Sequence, residues 1–282
     1  MKKVLIVGLG LMGGSILKAL PSDKYTVLGA DLKREAEKEV SLFWDMESET
    51  DADIVLLCIS PRATERFLKD KLHLLKKGAV VSDICGVKRN IVALGEQECE
   101  KRGLRFIGGH PMAGREKSGF EYSTADLFKN RSYILTPTEK TDREALETMK
   151  KLAYDIGCSS VTETTPETHD KMIAFTSQVP HVLAGAYMKS PESDNHLGFS
   201  AGSYHDVSRV ASVDENLWTE LFSLNRDNLV TELDILIKNL EEYKLALEKE
   251  DKEALFEAIR RGRLLKERDI NINGAEKPHK FG

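Results

Sequence analysis

Lys3-Val4-Leu5-Ile6-Val7-Gly8-Leu9-Gly10-Leu11-Met12-Gly13-Gly14-Ser15 decides how this chain folds. Residues Lys3 to Val7 run apolar without alternation, as a strand buried on both faces of a parallel sheet does. Gly8, Gly10 and Gly13 then match G-x-G-x-x-G: the first permits a tight turn, the second lets a pyrophosphate approach the backbone, and the third lets helix and strand pack closely. A helical pattern follows through Leu20, and the amides at its start, including those of Leu11 and Met12, are placed to hold phosphates. The spacing alone is common. Its value here comes from the strand before it and the helix after it.

Working outward, a second apolar run from Thr26 to Ala30 ends at Asp31, where an acidic side chain accepts hydrogen bonds from the ribose hydroxyls of a dinucleotide. A carboxylate there repels a 2′-phosphate and favours NAD over NADP, although Arg34 stands close enough in sequence to clasp such a phosphate instead. Lys33 to Thr50 is charged and helical in pattern, with Phe43, Trp44 and Met46 as packing residues. Asp53 to Ile59 is the next buried strand, stopped by Ser60-Pro61, which either lie beside the nucleotide or simply start the following helix. Strands at Gly78 to Ser82 and Leu104 to Ile107 flank the turn Asp83 to Lys88 and a helix reaching Arg102. Such alternation specifies a parallel sheet with helices on both faces and gathers the strand ends on one edge.

The last of these strands delivers Gly108-Gly109-His110-Pro111-Met112-Ala113-Gly114-Arg115-Glu116-Lys117-Ser118-Gly119. An ordinary polar loop also collects glycine and charge. The surroundings set this one apart, since it sits on the edge where a bound dinucleotide would lie. Further strands at Ser132 to Pro137 and Ser160 to Glu163 enclose a helix from Asp142 to Ile156, and Pro166 marks a change of character.

From His169 onward the pattern is helical: Asp170 to Met188, Trp218 to Lys249 and Lys252 to Glu267. The expected architecture is therefore an α/β dinucleotide-binding, Rossmann-like domain with a parallel sheet over residues 1–164, followed by an all-α domain over 165–270. Residues 271–282 read as a poorly ordered tail. Leu229, Leu233, Leu236, Ile237, Leu240, Tyr243 and Leu247 make an apolar helical face that must be buried, which points to a homodimer formed through the helical half. Within that half His169, Gln178, His181, His205, Asp206, Arg209 and Asn225 interrupt apolar faces.

At 282 residues, two domains are expected. The formal net charge of −5 argues against a nucleic-acid or anionic-membrane partner. Cys58, Cys85, Cys99 and Cys158 lack metal-ligand or disulfide spacing, so no metal site is expected, and reduced thiols fit a cytoplasmic setting. The basic start and apolar centre of residues 1–11 are also those of a secretory signal. The glycine spacing explains that run differently, and no segment has the ~18 apolar residues of a membrane span.

Taken together, Gly8 to Ser15, the His110-Pro111-Met112-Ala113-Gly114 element with Glu116 and Gly119, Ser177-Gln178-Val179-Pro180-His181, and Asp206-Val207-Ser208-Arg209-Val210-Ala211 followed by Trp218 resemble the prephenate/arogenate dehydrogenase family over nearly the full length. The resemblance implies oxidative decarboxylation of prephenate to 4-hydroxyphenylpyruvate, on the route to tyrosine, with NAD as oxidant. It makes His110 the acceptor of a hydrogen bond from the substrate ring hydroxyl. Arg209 becomes the carboxylate-holding arginine and His181 a neighbour of the substrate side chain, with Arg115 and Glu116 beside them. One departure is Gly86, which stands where the family usually has serine, so that a water or Cys85 would have to replace that hydroxyl. No chorismate mutase or regulatory segment is expected. Rival readings are an arogenate dehydrogenase, a β-hydroxyacid dehydrogenase using a helical-half lysine such as Lys171, and a nucleotide sensor that has lost catalysis.

Overall fold

In the computed structural model, which describes residues 1–115 and 117–274, the chain opens with β1 (Lys2–Val7), α1 (Leu11–Ala19) and β2 (Tyr25–Ala30). The segment expected to be helical between Lys33 and Thr50 is instead irregular, with one 3-10 turn at Glu37–Glu39 and a two-residue strand β3 (Leu42–Phe43). Tertiary packing overrides its helical pattern: Trp44 is buried against Phe67 at 6.3 Å and donates from Nε1 to Ser48 O at 2.9 Å. The chain continues through β4 (Ile54–Leu57), α2 (Pro61–Asp70), β5 (Val80–Asp83), α3 (Arg89–Glu100) and β6 (Arg105–Pro111). Then come β7 (Ser132–Thr136), α4 (Arg143–Asp155) and β8 (Ser160–Glu163).

These strands form one sheet in the order β3-β2-β1-β4-β5-β6-β7-β8, parallel except for the antiparallel pair β6–β7. The order reverses direction between β1 and β4, and at such a switch point the crevice at the carboxyl ends of the strands receives the ligand. Period-two alternation sends Val4 and Ile6 to one core with Ile16, Met149 and Leu152, and Leu5 and Val7 to the other with Phe67, Leu68 and Ile91. Helices thus cover both faces, as the unbroken apolar strands require.

The helical half comprises α5 (Pro166–Ile173), α6 (Val179–Tyr187), α7 (Gly202–Ser208), α8 (Glu215–Leu224), α9 (Arg226–Glu248) and α10 (Lys252–Asn273). Thr165 caps α5, its Oγ1 accepting from Thr168 N at 3.1 Å, with Pro166 in the first turn where its missing N–H costs nothing. The single helix expected from Asp170 to Met188 is broken by a π-helical stretch at Ala174–Gln178. Pro180 accounts for it, because its ring would collide with the carbonyl four residues back and the widened turn relieves that clash. The helix expected from Trp218 to Lys249 is likewise divided at Asn225, whose side chain is diverted into a polar network.

The chain forms two compact units, Met1–Leu229 and Val230–Gly282, so the change from strands to helices near 164 is not where the compact units divide. The physical reason is the hydrogen bonding of α5 to the start of α3, described below. The expected tail begins too early: α10 continues through Asn273, where the pattern from Lys252 is simply carried on, while residues 275–282 lie outside the described residues. No described helix is long and apolar enough to cross a membrane.

Candidate active site

Strand register places the predicted residues in one row. Ala30, Val7, Leu57, Asp83 and Gly108 are successive partners across β2, β1, β4, β5 and β6. The next residues along these strands, Asp31, Gly8, Cys58, Ile84 and Gly109, therefore share the carboxyl edge. Gly8 and Gly109 are three strand spacings apart, about 14 Å.

At the β1–α1 turn, Gly8 has φ +93°, a conformation side chains disfavour, and a Cβ on Gly13 would strike Gly8 O. Gly10, by contrast, opens onto space, with no atom within 4 Å of where its Cβ would stand. No side chain caps α1, and its first turn carries no acidic residue. The amides of Leu11, Met12 and Gly13 thus begin a helix whose positive end faces an open backbone, which fits the phosphates of a dinucleotide. Asp31 holds this turn: Oδ2 accepts from Leu9 N at 2.6 Å and Oδ1 from Lys33 N at 2.8 Å. Ser60 caps α2, with Oγ accepting from Ala63 N at 3.4 Å, and Pro61 opens that helix. Of the two alternatives for this pair, the structure shows the helix start, and the cap stands at the end of β4 beside the switch point.

His110 lies at the end of β6, half-buried. Its Nδ1 is 2.9 Å from Nε2 of His169, whose own Nδ1 is 2.8 Å from Oδ1 of Asp170. Asp170 is buried and also accepts from Lys88 N at 2.7 Å, Arg89 N at 3.0 Å and Arg89 Nε at 3.3 Å. Arg89 reaches on to Asp227, Nη1 donating to Oδ2 at 2.8 Å. Asn225 Nδ2 donates to Asp170 O at 2.8 Å and Gln178 Oε1 at 2.9 Å. These contacts seat α5 on the N-terminal end of α3. Beneath them Lys88 and Asp83 form a fully buried ion pair. Desolvation, His169 and Lys88 hold the His110 imidazole well below its ordinary pKa, so it is neutral at pH 7. Burial and Lys88 lower His169 as well, against the opposing pull of Asp170. Burial pushes the Asp170 carboxyl up, but hydrogen bonds from His169, Arg89 and Lys88 outweigh it and leave the group below the usual carboxylate range.

The helical half approaches this edge through α8. A Cβ on Gly86 would lie 3.5 Å from Leu221 Cδ2 and 4.0 Å from His110 Cε1, so position 86 adjoins the imidazole with ordinary room to spare. One turn before Leu221, Trp218 stacks on His181 with ring centroids 3.8 Å apart. His181 is half-buried and donates from Nδ1 to Ser177 O at 2.7 Å. Arg209 is exposed at the start of a 3-10 turn, Arg209–Ala211, that packs against α6. Arg115 is exposed on the irregular segment after β6, and Glu116 lies outside the described residues.

Some expectations change. Cys85 does not stand in for a serine at 86: it is buried, with Sγ 3.5 Å from Thr64 Oγ1 and 3.8 Å from Ile59 O, on the α2 side of the sheet. Lys171 is exposed, which removes the apolar setting a catalytic lysine needs. Of the seven polar residues singled out in the helical half, His169, Gln178 and Asn225 are buried, while His205, Asp206 and Arg209 are exposed. Lys88, Arg89 and Asp170 were missed as site residues. His169-Asp170 was detectable as adjacent polar residues inside an apolar helical pattern. Lys88 closes the Asp83 to Lys88 turn at the strand edge, but nothing local marked it as buried.

The sheet order, glycine turn and imidazole on one edge define a dinucleotide-binding domain of the doubly wound kind with a candidate active site at its switch edge. The family model described as "Prephenate dehydrogenase, nucleotide-binding domain" matches residues 18–162, and that described as "Prephenate dehydrogenase, dimerization domain" matches residues 165–261. The chain is 31% identical to a prephenate dehydrogenase of Lactococcus lactis, covering 95% of this chain and 77% of that one. It is 29% identical to a Bacillus subtilis prephenate dehydrogenase, covering 90% and 72% respectively. Among solved structures, a prephenate dehydrogenase from A. aeolicus in complex with hydroxyphenyl propionate and NAD+ superposes with a TM-score of 0.83 at 31% identity, over 95% of this chain and 98% of that one. This chain belongs to the prephenate dehydrogenase family.

Proposed function

We propose that the protein oxidises and decarboxylates prephenate to 4-hydroxyphenylpyruvate with NAD as hydride acceptor, and that His110 is the group that draws on the ring hydroxyl. The observation that carries this reading is the neutral imidazole at the carboxyl edge of β6, in the same row as the uncapped glycine turn. Hydride loss from a ring carbinol leaves positive charge on carbon and oxygen, and an acceptor for the hydroxyl proton lowers that barrier. The nicotinamide, when bound, supplies the electrophilic carbon that takes the hydride. Gly8, Gly10, Leu11, Met12 and Gly13 hold its phosphates, Asp31 its ribose, and Ser60 and Pro61 line the crevice. The Asp31 carboxylate favours NAD over NADP.

Arg209 clamps a substrate carboxylate through two parallel hydrogen bonds. We assign His181 to the substrate side chain and Arg115 to the substrate pocket; Glu116, assigned to the same pocket, lies outside the described residues. The contact series from His110 through Gly86, Leu221, Trp218 and His181 to the helix on which the Arg209 turn packs supports their convergence. Residues 1–164 act as the nucleotide domain and 165–270 as the substrate and dimerisation domain of a cytoplasmic homodimer. The dimerization-domain match and the exposed apolar side chains of α9 and α10, Ile237, Leu240, Phe256 and Leu265 among them, support that assembly. NADH formation from NAD and prephenate, measured beside arogenate and beside NADP, tests the reading. Its absence with prephenate, or a preference for arogenate, overturns it.

A further inference from the structure

The ring-to-ring contact of His110 and His169 has a defined polarity. An ionised carboxylate only accepts, so the 2.8 Å contact to Asp170 Oδ1 places the His169 proton on Nδ1. Nε2 of His169 is then a lone pair, and the proton in the 2.9 Å contact belongs to Nδ1 of His110. Nε2 of His110 is left as the basic nitrogen. Asp170 cannot turn away from this task, because Lys88 N, Arg89 N and Arg89 Nε occupy its other acceptor directions.

We propose that His169 and Asp170 are positioning residues for the reaction: they fix the tautomer of His110 and take up its Nδ1 proton while Nε2 holds the proton of the substrate hydroxyl. The inference rests on the function proposed above. In the step, the ring carbon loses hydride to the bound dinucleotide, the bond to the ring carboxylate breaks, its electron pair enters the ring, and CO2 departs. The hydroxyl proton moves to His110 Nε2 as the Nδ1 proton moves to His169 Nε2. The reverse shift returns a proton to the product phenol oxygen, so none is released overall. The charged groups facing the two rings decide where the transient charge rests. Asp83 comes from β5, Lys88 and Arg89 from the start of α3, and Asp170 from α5. His169 touches a carboxylate and His110 does not, so the imidazolium is favoured on His169 as an ion pair with Asp170.

The test uses the full chain labelled with 15N-histidine. The expected spectrum shows His110 and His169 both protonated on Nδ1 alone. His169→Gln keeps an amide oxygen as acceptor for His110 Nδ1–H but cannot take the proton, and is expected to lower kcat about 10–10²-fold with KM for prephenate within about twofold. His169→Leu removes the acceptor as well, lowers kcat further, and mixes the His110 tautomers in the spectrum. A wild-type His110 protonated on Nε2, or a His169→Gln enzyme with wild-type kcat, overturns the proposal. Failure of the wild-type protein to form NADH overturns the functional reading and the proton transfer with it, whereas the tautomer assignment stands or falls on the spectrum alone.

Discussion

The proposed function gives His110 the chemistry and Arg209 the binding, and substitutions should separate the two. His110→Asn keeps a polar side chain of similar reach but no basic nitrogen, so kcat is expected to fall by about 10²–10⁴ with KM for prephenate nearly unchanged. Arg209→Gln would remove the proposed bidentate clamp and is expected to act mainly by raising KM; steady-state kinetics of the two variants check both. Burial, His169 and Lys88 all lower the His110 pKa, so the neutral, accepting form prevails down through pH 6.5 and is lost only as pH falls further. The profile of kcat/KM is therefore expected to be flat through neutrality, with its acid limb below the ordinary histidine value of ~6.5. A limb at or above that value would place the titrating group elsewhere. His110 itself was legible in the sequence, since a histidine among glycines after an apolar strand stands out. Lys88 was not, because its burial depends on a carboxylate five residues earlier and on a helix eighty residues later, which no local pattern records.

Among the elements, the junction of β5, α3 and α5 carries the heaviest electrostatic constraint. Lys88 and Asp83 are both fully buried, and Asp83 also accepts from Cys85 N at 2.9 Å and Gly109 N at 3.4 Å, so the pair ties the turn before α3 to β6. Lys88→Met strands a buried carboxylate and is expected to lower the unfolding free energy by about 3–5 kcal/mol. Adding Asp83→Asn removes the stranded charge and is expected to recover most of that loss, as urea unfolding of the single and double variants would show. A single variant with wild-type stability would mean that water reaches the pair. The central strands β1, β2 and β4 are legible as unbroken apolar runs, because burial on both faces leaves little else for such runs to do, whereas the two-residue β3 is not. The helix breaks at Ala174–Gln178 and Asn225 are not either. Pro180 announced the first, but whether a proline ends a helix or widens it depends on what the flanking turns pack against.

At the scale of the molecule, α9 and α10 leave large apolar side chains exposed, including Ile237, Leu240, Phe256 and Leu265 at about half their surface or more. So many large apolar side chains on two helices are rarely left to water. Sedimentation is expected to give twice the chain mass, and Ile237→Glu with Leu240→Glu to shift the protein toward the monomer; a wild-type monomer would contradict the assembly proposed. The sequence by itself determined the doubly wound sheet, the glycine turn, the acidic residue after β2 and the histidine at the end of β6, because each is written in residues a few positions apart and enforced by strand periodicity or backbone sterics. Only the tertiary structure decided that His169 and Asp170 stand behind His110, that Cys85 faces away from it, and that residues 33–50 are irregular. Those outcomes turn on which distant side chains share one buried volume, and desolvation there, not local propensity, sets both conformation and charge.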